Sequence, residues 1–240
     1  MTVEVKSVPK HPPGYIVGVD LGQARDYTAI CVLEYTDRQT GRSRQRRVGN
    51  WATGGASDLV PETEHVYQVR HLERLPLGTP YPEQAERVAA VINQVKALQR
   101  EQHVWPQPEP KAPRLVADQT GVGRPVVDML RALDLRDLYA VTIHGGDGVS
   151  RTGREYRIPK RELVSALQVL LQTDRLSVAK ALPEADTLVR EMLAFKVKIS
   201  DKGHDSYGND WRENDHDDLV LAVALAAWVG ERIPYTRYKR

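Results

Sequence analysis

Cysteine is nearly absent from this chain. Cys31 is the single one and sits inside an apolar run, so no disulfide can form within the chain. A reducing, cytoplasmic setting is the natural one for such a sequence, and the thiol reads as a small buried hydrophobe. Long apolar runs are also missing. None approaches the ~18 residues that a membrane-spanning helix requires, so no membrane partner is expected. The opening stretch, MTVEVKSVPKHPPG, lacks the apolar centre of a signal peptide. Net charge is small, +2, so any affinity for nucleic acid has to come from local clusters rather than from the total.

What is present suits a packed domain. The 240 residues are 41% hydrophobic and 28% charged, which fits one sizeable domain, or at most two small ones, and argues against wholesale disorder. Residues 1–14 carry Pro9, Pro12 and Pro13 and read as a flexible arm. Residues 231–240, ERIPYTRYKR, read as a frayed basic tail, which leaves 15–230 as the folded domain.

That domain is organised around Tyr15–Gly22, YIVGVDLG. Ile16, Val17 and Val19 flank a glycine as in a buried strand, and Asp20 follows directly. A carboxylate at the end of a buried strand is costly unless it is paired or bound to a metal. Asp20 is therefore either a first metal ligand or a turn-initiating aspartate bonded to nearby backbone.

The pattern that follows alternates strands and helices. Tyr27 to Tyr35 predicts a second strand, forming a hairpin with the first. The segment after it holds Arg38, Arg42, Arg44, Arg46 and Arg47 against the single acid Asp37. It is either a solvated hairpin tip or a phosphate-contacting loop, since clustered arginine is what backbone binding needs. Residues 51–64 read as a polar loop, and His65 to Leu75 as a third strand. Helical spacing from Glu83 to Gln99 follows Pro82, and the proline-rich stretch 102–113 is a connector. Arg114 to Ala117 is a short strand ending in Asp118. A glycine turn then leads into a helix from Pro125 to about Ala132. Further elements are a strand over Leu138–His144, a helix from Pro159-Lys160 through Leu171, a short edge strand near Arg175–Ala179 and a helix over Pro183–Leu193. A strand over Ala194–Ile199 and the nearly all-apolar helix Leu219–Val229 complete the set. The sum is a mixed α/β sheet with an antiparallel opening hairpin and helices on both faces.

Three acidic positions fall on comparable places in this scheme: Asp20, Asp118, and the pair Asp217-Asp218 at the start of the last helix. Each also has an ordinary reading. Asp118 can be a turn residue, and acids in a first helical turn favour the macrodipole, with Asp215 as the cap. Glu34 and Asp26 read as hairpin charges and His216 as a surface group. It is the joint order of the acids that points to a site. Carboxylates that close repel unless a cation sits between them. Hard oxygen donors without partner cysteines or paired histidines suit Mg²⁺ or Mn²⁺ rather than zinc. Two such ions can activate water and stabilise a leaving oxygen in phosphodiester hydrolysis.

Four stretches in order, YIVGVDLGQARDYTAICVLEY, HLERLPLGTPYPEQAERV, RLVADQTGVGRPVVDML and NDHDDLVLAVALAAW, resemble the C-terminal nuclease domain of tailed-bacteriophage terminase large subunits. The resemblance runs from about Gly14 to Gly230. It implies a ribonuclease-H-like fold and a two-metal endonuclease that cuts concatemeric double-stranded viral DNA during packaging. By position, Asp20 matches the strand-1 ligand and Asp118 the acid of the fourth strand. Asp217 matches the last-helix acid, with Asp218 as neighbour or substitute. The family's polar hairpin would fall at about Lys196–Asn209. Double-stranded DNA is the implied partner, beside a packaging ATPase, a portal or a small terminase subunit. Arg42, Arg44, Arg46, Arg47, Arg124 and Lys202 are the candidate DNA contacts.

The chain departs from that family in one respect. No GxxxxGK[ST] phosphate loop occurs and residues 1–14 leave no room for an ATPase, so an isolated nuclease domain or a free-standing relative is expected. Three other readings stay open. GVDLG also resembles the phosphate turn of the actin and sugar-kinase superfamily, although those proteins duplicate the fold. The acids also suit a Holliday-junction resolvase or a transposase core. A non-catalytic DNA-binding or assembly module would need neither Asp20 nor a divalent metal.

Overall fold

Seven consecutive buried residues, Gly14–Asp20, form the strand β1 at the centre of a computed structural model. The structure describes residues 12–22, 26–48, 56–121, 123–133, 135, 137–194 and 217–233, with the side chains of 46–48, 56–58 and 194 outside that description. In chain order β1 is followed by β2 (Thr28–Val48), β3 (Ala56–Leu75), α1 (Tyr81–Gln102), β4 (Arg114–Asp118) and α2 (Gly123–Ala132). Then come β5 (Leu138–His144), β6 (Ser150–Thr152), β7 (Glu155–Pro159) and α3 (Lys160–Gln172). The chain continues through β8 (Leu176–Val178), α4 (Ala185–Ala194) and α5 (Asp218–Arg232).

The strands make one sheet in the order β6-β7-β5-β4-β1-β2-β3-β8. β1, β4, β5 and β7 run parallel, and β2 returns antiparallel to β1. Side chains alternate along a strand, so each strand feeds both faces. Ile16 and Val116 point into one apolar layer with α3, α4 and α5. Val17, Val19, Leu115 and Ala117 point into the other, with α1 and α2. The mixed sheet with helices on both faces is thus the architecture the sequence predicts.

The last helix sets the geometry of the site. Every residue of α5 from Asp218 to Gly230 is buried, as its unbroken apolar sequence requires. It lies directly on β1 because Gly18 has no side chain, and a Cβ there would overlap the Ala222 carbonyl. Cys31, beside Gly18 in the ladder, donates its Sγ–H to that same carbonyl at 3.2 Å. The thiol is fully buried, as its sequence context predicts. At the far end, Arg114 donates to the Val229 and Ile233 carbonyls at 3.3 and 2.7 Å, which satisfies oxygens a helix terminus leaves open.

Several expectations need correcting. The arginine-rich segment is not a hairpin tip, and the segment 51–64 is not all loop. Both belong to a long two-stranded ribbon, in which Arg44 pairs with Val60 and Arg46 with Asp58. The side chains from Asp37 to Gln45 are all exposed, so no polar-apolar alternation marks that part of the ribbon. The β6–β7 hairpin was not expected either: its strands have only three and five residues. Helix α5 extends through Arg232, so the expected tail from residue 231 begins inside a helix. The edge strand near 175–179 is present as β8. Residues 1–11 of the arm, the tail from 234, the strand over 195–199, the hairpin at 196–209, Lys202, Asp215 and His216 lie outside the described residues. No helix among the described residues is long and apolar enough to cross a membrane.

Candidate active site

Asp20 and Asp118 end adjacent parallel strands. The ladder pairs Val19 with Ala117, and each aspartate is the next residue on its strand. Alternation from Ile16 and Val116 turns both carboxylates toward the face that α5 covers. Helix α5 begins there, with Asp217 as its N-cap and Asp218 as its first residue. All four predicted acids therefore meet at one corner, built from two strand ends and one helix start.

Asp20, only 9% exposed, reports their mutual repulsion. Burial, then the charges of Asp118, Asp218 and Asp217, hold its carboxyl well above the usual value of 3.8, and Lys160 opposes them. Asp118 is fixed by a turn of its own. Its Oδ1 accepts from the Thr120 backbone N–H at 2.8 Å and from the Thr120 hydroxyl. That hydroxyl oxygen accepts from the Ile143 N–H at 2.7 Å, tying the end of β4 to β5. The turn reading of Asp118 is thus realised, and it orients the carboxylate rather than competing with a site.

Two cations that sequence reasoning missed hold the helix acids. Lys160 Nζ lies 2.8 Å from Asp217 Oδ2. Arg74 pairs with Glu191, a buried acid on α4, and lies 3.6 Å from Asp218 Oδ2. Glu191 Oε2 also accepts from the Val220 N–H at 3.1 Å, so it, and not Asp217, caps the helix start. A lysine in the first turn of α3, where the macrodipole disfavours a cation, was the one local signal for Lys160. Arg74 and Glu191 carried none, since three separate elements bring their charges together.

The acids gather without converging. Among the described residues no group of three or more histidine, cysteine, aspartate or glutamate side chains is arranged to hold a metal ion. Asp217 and Asp218 are directed at Lys160 and Arg74. The donor set nevertheless fits a hard divalent cation. Its members are all carboxylates, and beside burial the charges of Asp118, Asp218 and Asp217 add to the raised Asp20 carboxyl, a repulsion that a cation between the acids would relieve.

The candidate DNA contacts are spread out. Arg124 is exposed on the first turn of α2, just past the Asp118 turn. Arg42 and Arg44 are exposed on the ribbon, while Arg46 and Arg47 have no described side chains. The ribbon leaves the sheet at the end away from the acids: Asp20 pairs with Ala29, whereas Gly14 pairs with Tyr35, and the arginines lie beyond. At ~3.3 Å per strand residue, Arg42 stands up to about 40 Å along β2 from Asp20.

No family profile and no curated protein sequence matches the chain. Solved structures do. The human cytomegalovirus terminase nuclease domain, soaked with manganese, aligns over 95% of this chain and 89% of its own, with a TM-score of 0.51 at 12% identity. The large terminase nuclease of the thermophilic phage G20c with bound magnesium aligns over 90% of this chain and 80% of its own, with a TM-score of 0.49 at 22% identity. The cytomegalovirus alignment carries the fold assignment, and the chain has the ribonuclease-H-like fold of terminase nuclease domains.

Proposed function

We propose that this chain is a metal-dependent endonuclease that hydrolyses phosphodiester bonds of double-stranded DNA, with residues 15–230 as its nuclease domain. The observation that carries the reading is the meeting of Asp20 and Asp118 on adjacent strand ends beneath the start of α5, within a fold shared with a terminase nuclease domain. In this reading Asp20, Asp118 and Asp217 would hold two ions, Asp20 serving both and Asp118 and Asp217 one each, with Asp218 as the alternative to Asp217. The hard oxygen donors suit Mg²⁺ or Mn²⁺, and the cytomegalovirus domain that shares the fold was soaked with manganese.

Two such ions, when bound, make water a competent nucleophile near neutral pH and stabilise the oxygen that leaves phosphorus. The chain's own groups prepare that chemistry. Thr120 holds the Asp118 carboxylate in one orientation. Burial of Asp20 excludes bulk water and strengthens every charge interaction around it. Arg124 stands beside the Asp118 turn, where it can meet the backbone of a bound strand. Arg42 and Arg44 meet the duplex far from the cut. Hydrolysis requires no covalent enzyme intermediate, and no nucleophilic side chain is assigned.

The test is cleavage of supercoiled plasmid by the purified chain with Mn²⁺, Mg²⁺ or EDTA, beside Asp20→Asn. Nicking or linearisation with metal, lost with EDTA and in the variant, is the expected result. A folded chain that binds duplex but cuts with neither ion would overturn the reading in favour of a DNA-binding module.

A further inference from the structure

Lys160 is buried, at 7% exposure, and opens α3, where the positive end of the helix dipole opposes it. Its ammonium is held instead by Asp217 at 2.8 Å. Strand β7 delivers it to this place. His144 pairs with Pro159, so Lys160 follows directly on a strand end in the same parallel row as the ends of β1 and β4. Its charge also opposes the acids that raise the Asp20 carboxyl. Asp217, for its part, is the N-cap of α5 yet makes no capping bond. The Val220 N–H that an N-cap side chain would ordinarily satisfy is taken by Glu191. The Asp217 carboxylate is thereby released from helix duty and turned to Lys160.

We propose that Lys160 is a resident counter-ion that occupies Asp217 while no metal is bound, so that the divalent cation shared between Asp20 and Asp217 gains the Asp217 carboxylate only by displacing the lysine. The inference rests on the metal-site reading above. It accounts for four aspartates at one corner that do not converge: Asp217 is already engaged by a built-in cation. The pair supports the fold without metal by neutralising charge beneath α5, and it weakens metal binding by competing for the same oxygens. Binding of the ion and release of Asp217 from Lys160 are therefore one coupled event.

The experiment titrates the full chain with Mn²⁺ alone, without DNA, by calorimetry, and records thermal melts in EDTA. Lys160→Gln should bind Mn²⁺ on the order of tenfold tighter than the unaltered chain, since a competing charge is removed. The same variant should melt at a lower temperature in EDTA. Lys160→Arg keeps the charge and grips a carboxylate through two N–H groups, so it should bind Mn²⁺ severalfold more weakly. In an Asp217→Asn background the gain from Lys160→Gln should largely disappear. Affinity unchanged or lowered in Lys160→Gln, or raised in Lys160→Arg, overturns the proposal. So does an undiminished gain in the Asp217→Asn background, which would reduce Lys160 to simple charge repulsion. If Lys160→Gln does not fold, the arginine variant decides alone. Mn²⁺ binding that Asp20→Asn leaves intact, or no binding in any form, overturns the metal-site reading itself and this inference with it.

Discussion

The carbonyl of Ala222 rests on Gly18, and nothing larger than a hydrogen fits between them. This contact sets the depth at which α5 crosses β1, and so where Asp217 and Asp218 stand relative to Asp20. The obstacle is backbone, which cannot swing aside as a side chain end would. Gly18→Ala must therefore lift the helix or bend the strand. Overpacking of this kind costs about 1–3 kcal/mol or more. Urea denaturation should show that loss, and Mn²⁺ binding should weaken with it. A variant of unchanged stability would mean that α5 is not seated as described.

Asp20 should limit stability when no metal is present. Burial and three neighbouring aspartates raise its carboxyl above 3.8 in the folded chain. The folded state then holds this proton more tightly than the unfolded state. The group supports the fold fully below its unfolded value, and that support is lost as pH rises toward its folded value. In EDTA at neutral pH, Asp20→Asn should thus melt at a higher temperature than the unaltered chain, with the gap closing as pH falls toward 4. With Mn²⁺ the order should reverse, because only the unaltered chain gains from the ion. Melting curves at several pH values check both statements.

The parts of this molecule that were legible in the sequence are those where burial imposes a local pattern. Asp20 and Asp118 each end an apolar run, and α5 is apolar all round, so their elements and order could be read directly. The ribbon could not. Arg38 to Arg47 lie on strands without a core beneath them, and only the pairing of Arg44 with Val60 and its neighbours reveals the extended backbone. Nor could the charges that control the helix acids. Arg74, Lys160 and Glu191 lie on β3, α3 and α4, and their meeting is a product of the tertiary fold. The sequence located the carboxylates but not the cations that already hold two of them.

Glu191 joins three elements through one carboxylate: it pairs with Arg74 on β3, sits on α4 and caps α5 at Val220. Both partners of the ion pair are well buried, with side chains 15% and 5% exposed. Removing one partner of a buried pair strands the other, at about 3–5 kcal/mol. Glu191→Ala and Arg74→Ala should each destabilise the chain by that order. The double variant should cost clearly less than the two single losses added together. Strict additivity in a denaturation cycle would show that the two residues are energetically independent.

The ribbon arginines should act on long DNA only. Arg42 lies up to about 40 Å along β2 from the acids, a length that corresponds to ~12 base pairs at ~3.4 Å each. Along a straight ribbon, a duplex shorter than this that lies on the acids does not extend to Arg42. Arg42→Ala with Arg44→Ala should therefore weaken binding of a 30-base-pair duplex and lower the slope of its salt dependence by about 2. Binding of a 10-base-pair duplex should not change, and neither should the melting temperature, since both side chains are exposed. Cleavage of long DNA at saturating protein should persist, because these arginines stand far from the scissile bond. Equal losses on short and long duplexes would place the arginines beside the acids, against the strand pairing that carries them away.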